Sequence, residues 1–263
     1  YVKFNMLGEK IYFQELTGNP WTGNARLWKY NTISNQYTLL DARGDSFSWA
    51  GWGTKLFNLD GLMFHIEPYS GNDWIAVQTN VPDQIVTSDV AVSGDKVYFL
   101  GGEDLSTNFT SYRLPNEWFN MTAFPIPIEK SVLTADENYV YSLGGYESEN
   151  GGNYFTRFSI ENNQWERLPD IPNKVFGSNF GNRALIIKNR FLFVISSNGS
   201  SSLLDVYDLQ ENVWKSTALS LNLPSPYFYK YNDRLYIIST TYNQNTDLLS
   251  INLYKADLEY INN

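Results

Sequence analysis

Aromatic residues seven positions apart recur along this chain. Phe158 and Trp165 open and close "FSIENNQW", Tyr207 and Trp214 do the same in "YDLQENVW", and Tyr30 and Tyr37 in "YNTISNQY". "YRLPNEW" sets Tyr112 and Trp118 one residue closer. "LYKADLEY" offers Leu253 and Tyr260, and "EPYSGNDW" supplies only the second member, Trp74. The second members stand at 37, 74, 118, 165, 214 and 260, so the intervals are 37, 44, 47, 49 and 46. A period of that size running through the whole chain means one supersecondary unit repeated, and every other assignment depends on it.

Between the markers the pattern is that of strands. "DKVYFLGG", "NYVYSLGG", "NRFLFVISS" and "DRLYIISTT" each place a polar turn before a short apolar run, as does "EKIYFQEL" near the start. Each has another short strand ahead of it and the aromatic pair behind, so one period holds four strands joined by polar turns. No 3.6-residue periodicity is sustained, and helix is expected to be scarce. Aromatic residues make up 16% of the chain, which suits pleated, half-buried surfaces. A lone four-stranded sheet cannot bury both faces, whereas sheets stacked around an axis bury one another. Aromatics of the third and fourth strands then fill the wedge between sheets. Glycine pairs let the backbone turn sharply at positive φ.

Apolar strand, Gly-Gly, polar loop, Tyr, then Trp followed by Leu-Pro resembles the kelch-repeat β-propeller family. The best copies run from Val97 to Trp118 and from Tyr139 to Pro172. Gly101-Gly102 and Gly144-Gly145 are the glycine pairs in the expected place, and "QEL", "SSN" and "STT" stand there in the first, fifth and sixth units. The resemblance implies an all-β, six-bladed kelch-like β-propeller of four-stranded antiparallel blades. It would be a single domain over 1–263 with blades near 1–40, 41–78, 79–122, 123–168, 169–217 and 218–263. The short second unit leaves open whether it is a full blade with a regular third strand. The chain is expected to begin with a first strand in "YVKFN" and to end with a fourth in "EYINN".

Charge and residue inventory narrow the chemistry. The net charge of −9 repels phosphate backbones and anionic lipids, so neither nucleic acid nor membrane insertion is expected. The chain has no cysteine, which removes disulfides, thiolate metal ligands and cysteine nucleophiles together. His65 is the single histidine, so any histidine triad or metal site would have to be built around it. No P-loop, GxSxG or HExxH stretch is present. Copper-radical oxidases that share kelch-like blades need cysteine and several histidines, and the iron set of plant specifier proteins of kelch type has no match around His65. No catalytic residue, metal ligand or cofactor is therefore assigned. A paired-carboxylate glycosidase site drawn from different blades stays open.

Loops joining second to third strands, and each unit to the next, emerge on one face. In proteins resembling this one, that face commonly binds partners. It would carry Trp21 in "TGNPWTGN", Tyr146 in "YESENGGN" with Tyr154 directly after it, and Tyr242 in "TTYNQNT". The connecting segments add Arg43 in "DARGDSF", Phe180 in "LPDIPNKVFGSNFGN" and Arg183 directly after it. Trp49 and Trp52 in "SWAGWG" fall on the predicted innermost strand of the second unit, where an aromatic at a channel mouth can stack on a sugar ring. Each is weighed against the plainer role of folding over a sheet edge. Arg43-Gly44-Asp45 spells an adhesion tripeptide but is also ordinary turn chemistry, and no adhesion role is assigned. Sequons at Asn108, Asn120 and Asn198 would suit a glycoprotein and lean toward a secreted or extracytoplasmic location, although the compartment stays open. The leading expectation is a non-catalytic binding module presenting its loop face to a protein partner. The alternative is a carbohydrate-binding lectin or a mutarotase-like sugar enzyme with its site at the channel mouth.

Overall fold

The structure is a computed structural model. It describes residues 2–7, 10–17, 24–31, 33–41, 48–52, 55–60, 63–68, 75–78, 89–101, 105–113, 117–145, 152–175, 183–197, 201–221, 223, 226–231, 234–243 and 248–255. Side chains are described at 28–31, at 33–39 and at most of these positions from 89 on. Among the described residues there are strands and turns but no helix, as the periodicity predicts.

Among the described residues the strands form six antiparallel sheets, each taken from consecutive chain segments. Sheet 1 is β1 (Val2–Leu7), β2 (Lys10–Thr17), β3 (Asn24–Asn31) and β4 (Gln36–Asp41). Sheet 2 is β5 (Ser48–Trp52), β6 (Lys55–Asp60), β7 (Met63–Pro68) and β8 (Ile75–Gln78). Sheet 3 is β9 (Asp89–Ser93), β10 (Lys96–Leu100), β11 (Phe109–Arg113) and β12 (Glu117–Asn120). Sheet 4 is β13 (Val132–Ala135), β14 (Tyr139–Leu143), β15 (Phe155–Ser159) and β16 (Gln164–Arg167). Sheet 5 is β17 (Ala184–Ile187), β18 (Phe191–Ser197), β19 (Ser202–Asp208) and β20 (Val213–Leu221). Sheet 6 is β21 (Pro226–Tyr231), β22 (Arg234–Asn243) and β23 (Leu248–Lys255).

Four strands per period holds for five sheets. Sheet 6 has three, and the "EYINN" segment expected to supply its fourth lies outside the described residues. The third strand of the second unit is regular. In β7, Ile66 pairs with Phe57 on one side and with Ile75 on the other. The sequence pattern is weak there because Glu67, seven residues before Trp74, stands where the other units have an aromatic.

The chain divides into two compact units, residues 1–130 with 178–181, and residues 131–177 with 182–263. In the first, β1 lies beside β5 and β5 beside β9. In the second, β13 lies beside β17 and β17 beside β21. Within each unit the sheets thus stack through their first strands in a β-propeller-like arrangement.

The repeated aromatic pairs are cross-strand partners. Tyr30 pairs with Tyr37, Tyr112 with Trp118, Phe158 with Trp165 and Tyr207 with Trp214. Their ring centroids lie 4.7, 4.9, 5.2 and 5.0 Å apart. Directly opposed aromatics on one sheet face stabilise a hairpin by roughly 0.2–1 kcal/mol. In three of these hairpins the turn is also the same. Asn35, Asn163 and Asn212 take positive φ of 57°, 53° and 53°. Asn31 Oδ1 accepts the amides of Ile33 and Ser34, Ser159 Oγ accepts that of Asn162, and Asp208 Oδ1 accepts those of Gln210 and Glu211. A short polar side chain opens the turn and an asparagine, which tolerates the left-handed region, closes it.

The core of the second unit lies between sheets. Tyr141, Leu143 and Phe155 of sheet 4 pack against Leu192, Val194 and Tyr207 of sheet 5. Phe155 stands 5.0 Å from Tyr207 in an edge-to-face contact and 5.4 Å from Trp214, so third- and fourth-strand aromatics fill the wedge as expected. Phe193 meets Phe228 of sheet 6 edge-on at 6.5 Å. Burying each such side chain stabilises the fold by about 1.5–3 kcal/mol. In the first unit Tyr98, Phe99 and Tyr112 are fully buried, and burial together with the charge of Asp95 pushes the Tyr98 hydroxyl up to about 12.

Candidate functional site

The loop end of sheets 4 and 5 is built from glycine and from a returning connection. β14 stops at Leu143 because Gly144 and Gly145 follow at φ of 63° and 95°. The Gly144 amide donates to the Tyr154 carbonyl at 2.7 Å, and the Gly145 amide to the Val175 carbonyl at 3.0 Å. The Val175 amide donates in turn to the Gly152 carbonyl at 2.6 Å. A Cβ on Gly144 would lie 1.8 Å from the Val175 oxygen, so only glycine admits this approach. The segment after β16 is pinned further back as well. The Ile171 amide donates to the Asn153 carbonyl at 3.0 Å, Asn153 Nδ2 donates to the Ile171 carbonyl at 2.6 Å, and Trp214 Nε1 donates to the Pro169 carbonyl at 3.0 Å. Leu168 and Ile171 are buried, which explains the Leu-Pro that follows the tryptophan.

Sheet 3 uses the same device within the first unit. Gly101 sits at φ 78° with its amide on the Asn108 carbonyl at 2.9 Å, and a Cβ there would lie 2.9 Å from the Ile128 oxygen. Ser106 and Ile128 form a β-bridge, as the connection leaving the sheet crosses its own second-to-third-strand loop.

In the second unit the connection also grips the next sheet. Lys174 bridges Ser197, whose amide donates to the Lys174 carbonyl at 2.8 Å. Asn173 Nδ2 donates to both carboxylate oxygens of Asp205, at 3.1 and 3.2 Å, and the Ser196 hydroxyl donates to the same carboxylate. Asp205 is 6% exposed, so a buried carboxylate is met by neutral donors from two elements. The sequence reading passed over this cluster. The available signal was an acid in the middle of the apolar run "LLDVY", which needs a buried partner.

Two of the sequence-predicted site residues, Tyr154 and Arg183, have described side chains, and both lie at this end, their carbonyls accepting the amides of Gly144 and Ile195. Tyr154 is half-buried. The Arg167 guanidinium lies 3.3 Å over its ring and is itself held by Asp170, so the ring is roofed by an ion pair. Arg183 extends β17 by one position, its carbonyl accepting the Ile195 amide at 2.8 Å. Its Nε is buried with no hydrogen-bond partner among the described residues, and burial pulls its pKa below the ordinary arginine value. Tyr242 is not in a loop. It lies within β22 opposite Leu249, because "STT" lacks the glycine that would end the strand and pairing runs on to Asn243. Trp49 and Trp52 lie in β5, the first strand of sheet 2, with β1 and β9 as neighbours. Trp21, Arg43, Tyr146 and Phe180 lie outside the described residues.

Of the sequons, Asn120 is exposed at the end of β12, Asn108 is half-buried and Asn198 is outside the described residues. Among the described residues no group of three or more histidines, cysteines, aspartates or glutamates could hold a metal ion. No model of a known protein family matches the chain.

Proposed function

We propose that this chain is a non-catalytic binding module, a six-bladed kelch-like propeller that presents its loop face to a protein partner. The observation that carries the reading is the pinning of residues 171–175. They are bonded to the second-to-third-strand loop of sheet 4 and to β18 and Asp205 of sheet 5. A recognition surface held in place before binding loses less conformational freedom on association, so more of its contact energy appears as affinity. The same bonds hold Gly145 and Gly152, which flank in sequence the "YESENG" stretch with Tyr146 and two glutamates. The glycine devices of sheets 3 and 4 and the repeated hairpin support the kelch-like reading.

The test replaces 146–151 and 170–174 by short Gly-Ser turns and compares affinity capture from the native source. Loss of a partner retained by the unaltered chain, with the β spectrum intact, supports the reading. Undiminished capture of that partner would sink it.

The carbohydrate reading keeps one support, the placement of Trp49 and Trp52 on the strand flanked by β1 and β9. A glycan array with the Trp49→Ala, Trp52→Ala chain beside the unaltered one separates it. Binding lost in the variant favours a sugar site, and no glycan binding leaves the protein partner in front.

A further inference from the structure

We propose that Arg183 and Lys174 together receive the carboxylates of an acidic peptide segment on the protein partner, an inference that rests on the loop-face reading above.

The placement follows from strand register. Arg183 stands opposite Ile195 and Lys174 opposite Ser197, both on the side of β18 that β17 occupies. Directly opposed residues put their side chains on one face, and positions two apart on a strand share a face. Arg183 and Lys174 therefore project from the same face of sheet 5, roughly 7 Å apart along β18. Asp205 pairs with Val194, the intervening position, and so points to the opposite face. There its charge is taken up by Asn173 and Ser196 rather than by these cations. Asp170, the other acid of the connection, is held by Arg167.

Among the described residues both cations are thus left without an acid. Neither side chain has a hydrogen bond or ion pair among the described residues. Lys174 is exposed and costs little in that state. Arg183 differs, because its Nε is buried and unpaired, and a desolvated guanidinium is stabilised most by a carboxylate. In a chain of net charge −9, unpaired cations side by side at a pinned loop end are a local exception.

The spacing favours a peptide. In an extended segment, side chains at alternate positions lie on one side at the same separation of roughly 7 Å, so two acidic residues one apart match the two cations. A single uronate or phosphate presents one charge centre and meets one of the two positions.

The experiment measures fluorescence anisotropy with two labelled peptide pools, X-Glu-X-Glu-X and X-Gln-X-Gln-X, against the full chain. The expected result is about tenfold tighter binding of the glutamate pool, the size of one charge-assisted hydrogen-bonded pair. Arg183→Gln should abolish that preference and Lys174→Gln reduce it about threefold. Lys174 is exposed, so its variant decides the matter if Arg183→Gln fails to fold. Equal binding of the two pools, or a preference that survives in both variants, overturns the inference. So does displacement by free glucuronate in an Arg183-dependent manner with no peptide binding. If the loop replacement abolishes partner capture while Arg183→Gln and Lys174→Gln capture normally, this inference fails and the loop-face reading stands.

Discussion

Sheets 4 and 5 belong to one unit and are alike at one end and different at the other. At the hairpin end both close with an aromatic pair, a polar opener and an asparagine at positive φ: Phe158, Trp165, Ser159 and Asn163 in sheet 4, and Tyr207, Trp214, Asp208 and Asn212 in sheet 5. At the loop end, β14 stops after five residues at Gly144-Gly145, whereas β18 runs for seven to Ser197. The glycines turn the chain away and admit the backbone of Val175. The serines keep it straight, and Ser196 joins Asp205 and Asn173 instead. One end of the unit is repeated because it closes a hairpin. The other varies from sheet to sheet, and there the unpaired Arg183 and the pinned connection lie.

The sharpest way to break the contrast is Gly144→Ala. A Cβ 1.8 Å from a backbone oxygen at φ 63° cannot be relieved by a side-chain rotation, and a loss of about 3 kcal/mol or more is expected in urea unfolding. Gly101→Ala, with 2.9 Å to Ile128, should cost less, roughly 1–2 kcal/mol. Equal losses at the two positions would mean that φ rather than close approach sets the cost.

Asn173→Ala probes the device sheet 5 uses in place of glycine. Removing that donor leaves the buried Asp205 carboxylate on Ser196 alone, with an expected loss of about 1–2 kcal/mol. A neutral result would show that this polar tie holds nothing.

The two hairpins should also part in acid. The Arg190 guanidinium beside Asp208, helped by the turn amides, holds the Asp208 carboxyl below its ordinary value against the opposing effect of burial. A lowered folded pKa adds stability that is fully present above the unfolded carboxylate value of about 4. That stability is lost as pH falls through the lower folded value. Ser159 does the same structural work without a charge. Amide exchange at Gln210 and Glu211 should therefore lose protection in acid before that at Asn162. Matched behaviour of the two turns would contradict the assignment.

The smallest expected effect is at Asn163. Glycine there relieves left-handed strain but loosens the unfolded chain, so Asn163→Gly should lie within about 0.5 kcal/mol of the parent, and Asn163→Ala should cost about 1 kcal/mol.

Much of this was legible in the sequence. The seven-residue spacing is the length of a hairpin whose ends face each other, so Tyr30/Tyr37 and Tyr207/Trp214 could be paired before any coordinates. Gly144-Gly145 marked a strand end because few other residues take that φ. The reading failed where the cause is long-range. Tyr242 was placed in a loop, although without glycine the strand simply continues. That Arg167 lies over the Tyr154 ring is likewise not visible locally, because the two residues come from different strands' ends. Asp205 was passed over because its partners lie on a different element, 32 residues away in the case of Asn173.

The most direct measurement is a hydrogen-exchange footprint of the complex with a captured partner. Protection should rise at residues 152–154, 171–175 and 195–197, and stay unchanged in the hairpins at 31–36 and 208–213. Protection confined to those hairpins, or spread over neither end, would contradict a binding face at the loop end.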